Sequence, residues 1–168
     1  MEVPTDAIKE VRDRTSAGIL ECKDALLKAS GDIEKAIADL RCRGSAIAEK
    51  KAGRVTSKGI IETYIHHTAQ IGVLVEVNCE TDFVAHTDEF KQLAHNLAMQ
   101  VAATSPQFIT VEEIPADAEL DPQAVCLLLQ PFIKEPDRSV GEIVAETIAK
   151  VGENIKVSRF ARFELGCS

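Results

Sequence analysis

Tryptophan is missing and aromatic residues make up only 4% of the 168-residue chain, so each of its six phenylalanines is worth locating. Positive charge is scarce as well: 19 Lys and Arg stand against 27 Asp and Glu, a net charge of −8. Lys and Arg contacts supply most of the affinity for a phosphate backbone, so direct nucleic-acid binding is not expected as the main function. A protein or small-molecule partner fits this charge better. No run approaches the roughly 18 apolar residues that indicate a membrane span, and no membrane partner is expected. Residues 1–10 carry neither a basic-then-apolar signal nor an Arg- and Ser-rich transit pattern, which points to a cytoplasmic protein.

Signatures of chemistry are also lacking. The chain has no G-x-x-x-x-G-K-S/T, no G-x-G-x-x-G and no G-x-S-x-G. Its five cysteines, Cys22, Cys42, Cys79, Cys126 and Cys167, form no C-x-x-C pair and have no histidine at zinc-finger spacing. Cytosolic thiols of this kind are usually small buried hydrophobes kept reduced, so the first four read as structural and Cys167 as an exposed thiol. His66, His67 and Cys79 could be imagined as metal ligands. Adjacent histidines on a strand point to opposite faces and do not easily grip one ion, so a surface pair is the plainer reading. No metal, cofactor or catalytic residue is expected. A metal- or thiol-dependent enzyme using those three residues is a rival that metal analysis of the purified protein separates.

What is present is an ordinary globular balance, 45% hydrophobic and 27% charged. The length can bury the core of one or two compact units. The chain divides into a three-helix head at residues 1–44, a basic linker helix at 45–58 and a core at 59–168. In the head, Ile8 and Val11 mark a short first helix, and Ile19, Ala25, Leu26 and Ala29 mark a second over residues 17–30, stopped by Gly31. Asp32 caps a third carrying Ile33, Ala36, Ile37 and Leu40, with Gly44 just past its end. Arg41, Arg43, Lys50, Lys51, Arg54 and Lys58 then form a basic run. It reads either as a solvated linker helix or as a patch steering the head toward an acidic surface.

The core opens with a hairpin in which Ile61, Thr63 and Ile65 alternate on one strand and Val73, Val75, Val77 and Cys79 on the next. A periodic helix follows with Phe90, Leu93, Ala94, Leu97, Ala98 and Val101, then a short apolar helix at residues 124–130. An amphipathic helix carries Val140, Ile143, Val144, Ile148 and Val151 to a stop at Gly152. A final strand at 155–165 places Ile155, Val157, Ala161, Phe163 and Leu165 on one side. A sheet with helices on one face gives an α+β fold: a three-helix, ubiquitin-associated-like module, then an antiparallel sheet covered by helices.

The segment Asn78-Cys79-Glu80-Thr81-Asp82-Phe83-Val84 resists a purely structural account. Thr81 or Asp82 can cap the following helix. Phe83 lies seven residues before Phe90 and so could extend the core stripe. Alternatively it is an exposed wedge, an aromatic held beside a carboxylate at a rigid helix start, the kind of anchor that dominates protein–protein hot spots.

Several separated stretches bear on that choice. They are Val11-Arg12-Asp13-Arg14-Thr15-Ser16-Ala17-Gly18, Cys22-Lys23-Asp24-Ala25-Leu26, Gly31-Asp32-Ile33-Glu34-Lys35-Ala36 and Lys50-Lys51-Ala52. After them come Val75 to Val84, Gln130-Pro131-Phe132-Ile133-Lys134, Gly152-Glu153-Asn154-Ile155 and Arg159-Phe160-Ala161-Arg162-Phe163. In these, and in order along nearly its whole length, the chain resembles the elongation factor Ts family. The resemblance implies a factor that binds elongation factor Tu, GDP-bound and nucleotide-free, and speeds GDP release so that GTP can follow. It implies that Asp82 and Phe83 form a wedge near the magnesium site of that GTPase, framed by Thr81 and Val84, and that Ile19, Leu20 and Lys23 of the head touch the GTPase domain. Ser16 stands where the family usually has glycine, and His86-Thr87 where Arg-Asn is common. With a single core unit the chain is similar to short members, for which a homodimer is expected. The rival in a different class is a protein-binding module with a ubiquitin-associated-like head and no exchange role.

Overall fold

Three amphipathic stretches at the N-terminus each bury one stripe, and the first two are too short to be stable alone. They form α1 (Thr5–Thr15), α2 (Ile19–Lys28) and α3 (Ile33–Lys51) in a computed structural model that describes residues 3–167; residues 1–2 and Ser168, the outer ends of the expected head and core, lie outside the described residues. Val11, Cys22, Ala25, Leu26, Ala36 and Ile37 close a core of their own. The turn between α1 and α2 takes residues 17–18 out of the expected second helix: Ser16 is left-handed at φ 55°, and Gly18 becomes the N-cap of α2. There the Glu21 carboxylate accepts the Gly18 N–H at 2.9 Å. Asp32 caps α3 as its sequence position implies, its side chain accepting the Lys35 N–H at 3.1 Å.

Gly44 does not stop α3. The helix runs on to Lys51, and Gly44 is buried inside it, where a Cβ would stand 3.9 Å from the Cβ of Ala149. Gly44 therefore lies at the crossing of α3 over α7 rather than at a terminus. Residues 45–51 of the expected linker are the last turns of α3, and residues 52–57 are not helical.

Beyond them lies a three-stranded antiparallel sheet in the order β1 (Lys58–Ile65), β2 (Ile71–Cys79), β5 (Ile155–Glu164). One face packs on α5 (Asp88–Thr104) and α7 (Val140–Val151), burying Val73, Val75, Val77 and Cys79 against Phe90, Leu93, Leu97 and Val101. The hairpin register pairs Ile60 with Val77 and Tyr64 with Val73, so those residues of β1 turn inward. Ile61, Thr63 and Ile65 consequently face outward; the two alternations of the hairpin lie on opposite faces.

The last strand also switches sides. Val157 pairs with Val77 but Arg159 pairs with Glu76, leaving Ser158 as a bulge. One extra residue inverts everything after it. Ile155, Val157 and Phe160 face the helices, whereas Phe163, expected on the same side as Ile155, is 68% exposed on the outer face.

The remaining short elements are α4 (Asp82–Ala85), α6 (Pro122–Val125) and the hairpin β3 (Pro131–Phe132) with β4 (Glu135–Ser139). The short helix expected at 124–130 is α6 followed by a separate 3-10 turn, Leu127–Leu129. Ser139 and Glu142 cap α7 reciprocally, and Gly152 at φ 78° ends it. Of the cysteines, Cys22, Cys79 and Cys126 are buried, but Cys42 is exposed on the outer side of α3 rather than structural. Among the described residues no helix is long and apolar enough to cross a membrane.

Candidate partner-binding surface

β2 delivers the chain to Cys79, and the next six residues make a braced turn. Thr81, not Asp82, is the N-cap of α4, its hydroxyl oxygen accepting the Val84 N–H at 3.4 Å. Val84 and Ala85 are buried and anchor this single turn of helix. A new cap follows at once: the Thr87 hydroxyl oxygen accepts the Phe90 N–H at 3.3 Å, and the Thr87 hydroxyl donates to the Val84 carbonyl at 2.7 Å. Phe83 is thus not on the helix that carries Phe90. It is 84% exposed.

Asp82, at the first position of α4, is also exposed and stands 3.5 Å from the Lys58 ammonium. Its carboxylate lies at the positive end of the helical turn and contributes no cap hydrogen bond. Arg54 approaches Glu80 at 3.6 Å, and the Lys51 ammonium donates to the Gly152 carbonyl at 2.7 Å. Part of the basic run therefore folds back on the turn that presents Phe83 instead of forming a free linker or patch. As exposed pairs, the Lys58 and Arg54 contacts orient more than they stabilise.

A carboxylate that sequence reasoning left without a role holds the turn from beneath. Glu153 follows the glycine that ends α7, and β5 runs beside β2, so the 152–154 turn meets the end of β2. Its carboxylate accepts the Glu80 N–H at 3.2 Å, the Thr81 N–H at 3.0 Å and the Thr81 hydroxyl at 2.6 Å. In return the Glu80 carboxylate accepts the Asn154 N–H at 2.7 Å. The Asn154 amide donates to the carbonyls of Arg54 at 2.9 Å and Ala52 at 3.3 Å. The signal available in the sequence was a polar Gly152-Glu153-Asn154 turn between a helix and a strand; what made it meaningful was the strand order.

Burial pushes the Cys79 thiol up, and the neighbouring Glu153 carboxylate pushes the same way. The thiol donates to the Thr81 carbonyl at 3.2 Å. A raised thiol makes a poor nucleophile. His66 and His67 sit beyond the end of β1, where strand alternation does not apply, and their rings lie 4.1 Å apart. Cys79 is at the opposite end of the hairpin, paired with Lys58. Among the described residues no group of three His, Cys, Asp or Glu side chains is placed to hold a metal.

The head offers a second exposed apolar point. Ile19 and Leu20, in the first turn of α2, are 56% and 77% exposed, and Lys23 is exposed one turn further on. The two groups of expected contact residues thus lie on different units, Thr81–Val84 at the end of the sheet and Ile19, Leu20 and Lys23 on the head. Each includes exposed apolar side chains, Phe83 in the first and Ile19 and Leu20 in the second, on a capped helical turn.

Residues 2–122 match the family model described as Elongation factor TS. The Elongation factor Ts of Syntrophomonas wolfei is 47% identical over 194 aligned residues, covering 98% of this chain and 91% of that protein. That of Carboxydothermus hydrogenoformans is 47% identical, with 98% and 89% covered. The Elongation factor Ts of Thermotoga petrophila is 47% identical, with 99% and 98% covered.

Proposed function

The chain belongs to the elongation factor Ts family, and from that premise we propose that it is the guanine-nucleotide exchange factor for elongation factor Tu in translation elongation. The observation that carries this reading is the exposure of Phe83 on a turn held by caps and by the Glu153 carboxylate. A phenylalanine kept in water on a rigid turn is poised to bury its ring against a partner, and aromatic anchors of this kind dominate binding energy.

The mechanism needs no bond-making by this chain. A GTPase holds GDP partly through a magnesium ion that bridges phosphate oxygens. Phe83 and Asp82 insert between helices of the GTPase domain near that site, with Thr81 and Val84 fixing the turn, and the inserted pair is compatible only with a displaced magnesium and phosphate site. Factor and nucleotide then weaken each other by the same free energy, because coupling between two bound ligands is reciprocal. Ile19, Leu20 and Lys23 supply a second contact on the GTPase domain, so that binding energy gathered by the head helps drive the distortion. The chain acts on the GDP-bound partner and holds the nucleotide-free one, and it is not an enzyme in the chemical sense.

A second copy of the chain is the further partner. The outer face of the sheet carries Ile61, Ile65, Leu74 and Phe163 in the open, with Leu165 exposed just beyond the end of β5. They are contiguous, since Thr63 pairs with Leu74 and Leu74 with Ala161, while Ile65 and Phe163 both pair with Gly72. Packing this face on its counterpart in a second chain covers all of them at once, as a sheet-on-sheet core does.

Stopped-flow release of fluorescent GDP from elongation factor Tu tests the exchange reading. Addition of this protein should accelerate release in a saturable manner. Tight binding with no change in release rate would replace it with the plain binding module.

A further inference from the structure

Among the polar contacts outside the exposed residues themselves, one carboxylate stands apart. Glu153 spends both oxygens on one short segment of another element, taking the Thr81 hydroxyl on Oε1 and the Glu80 and Thr81 amides on Oε2. Those two amides lie between the last residue of β2 and the first of α4, where neither ladder nor helix supplies an acceptor. A four-residue helix is not stable by its own propensity, so its orientation depends on what pins its ends. Val84 and Ala85 pin the far end by burial. Glu153 pins the near end.

We infer that Glu153 is a positioning residue for nucleotide exchange: it fixes the Glu80–Thr81 peptide so that Asp82 and Phe83 are presented in the geometry the partner receives. This rests on the reading of Phe83 as the exchange wedge. Charge-assisted hydrogen bonds are shorter and stronger than neutral ones, and three converging on one carboxylate leave the turn little freedom. The adjoining Asn154 extends the brace, because its backbone N–H is held by Glu80 and its side chain holds the carbonyls of Ala52 and Arg54 just after α3. The same turn therefore keeps the end of the head's long helix in register with the wedge. Pre-organisation of this kind acts on the step in which the wedge is driven home, since an unbraced turn must be ordered during binding.

The experiment compares wild type, Glu153→Ala, Glu153→Gln, Phe83→Ala and the double variant Glu153→Ala/Phe83→Ala as full chains. GDP release from elongation factor Tu is measured across factor concentration, and hydrogen exchange of the Glu80 and Thr81 amides is measured in the free factor. Glu153→Ala should raise amide exchange at both positions by about tenfold or more and lower the saturating release rate by about tenfold, near the effect of Phe83→Ala. Glu153→Gln keeps an acceptor for the amides and should fall between alanine and wild type in both readouts, which covers the case of an alanine variant that does not fold. The double variant should release GDP little slower than Phe83→Ala alone, because with the ring gone only Asp82 is left for the brace to position. Unchanged amide exchange, an unchanged release rate in Glu153→Ala, or defects that multiply in the double variant would overturn the inference. A Phe83→Ala protein with full exchange activity would instead remove the wedge reading beneath it, a distinct result.

Discussion

Phe83 and Phe90 are separated by one short break and occupy opposite surroundings: the second ring is fully buried on α5 and the first is almost free in water. Spacing alone could not separate them, since seven residues return a helix to the same face. Two threonines decide the matter, because Thr81 caps one helical turn and Thr87 opens another, and Phe83 belongs to the first. Asp82, freed from capping, is then a clean probe of charge, and Asp82→Asn tests its charge without loss of a cap. Gly59 shows the reverse case, a residue with no sequence signal and a strict requirement. It adopts φ 150°, and a Cβ there would stand 2.1 Å from the Val77 carbonyl oxygen. Gly59→Ala must distort β1 against β2 beside Lys58, and a loss of about 2–4 kcal/mol is expected, read as a lower urea midpoint with an unchanged slope.

At the scale of elements, α3 is the least anticipated part of the chain. Its first half was legible from Asp32, Ala36 and Ile37, but Gly44 read as an ending and the basic residues after it as a separate linker helix. Helix continuation there is a tertiary effect: the second half of α3 lies on α7, with Gly44 facing Ala149 across the crossing. Since a methyl group at position 44 would make only an ordinary contact, Gly44→Ala should stabilise the protein by about 0.5–1 kcal/mol through helix propensity. Thermal unfolding checks this, and a lowered midpoint would mean the crossing is tighter than 3.9 Å suggests. The bulge at Ser158 was equally invisible, because an inserted residue in one strand is defined only by its neighbour. Deleting residues 1–43 removes the head core and keeps the turns of α3 that rest on α7. The remaining chain should fold cooperatively by circular dichroism and lose at least about tenfold in the rate of GDP release. Full activity of that truncated chain would remove Ile19, Leu20 and Lys23 from the account.

For the whole molecule, two consequences follow from where apolar surface is left uncovered. One is assembly. Sedimentation at micromolar concentration should show a dimer that Phe163→Asp converts to monomer without lowering the content of regular structure, since a buried charge opposite its own copy is costly. A wild-type monomer at that concentration would remove the second copy as a partner. The other is the proposed exchange function. Its motif could be read in the sequence because Thr81, Asp82, Phe83 and Val84 are contiguous; its support could not, because the Glu153–Asn154 turn and Lys58 reach the same turn from two distant places.

The most direct measurement is thermal unfolding and GDP release made side by side on Phe83→Ala. With the ring 84% exposed, little burial is lost, and the midpoint should move by no more than about 2 °C. The release rate should nonetheless fall at least about tenfold, corresponding to roughly 2 kcal/mol from a hot-spot aromatic. A variant that melts many degrees lower, yet whose folded fraction exchanges nucleotide at the wild-type rate, would make Phe83 a structural residue and contradict the account.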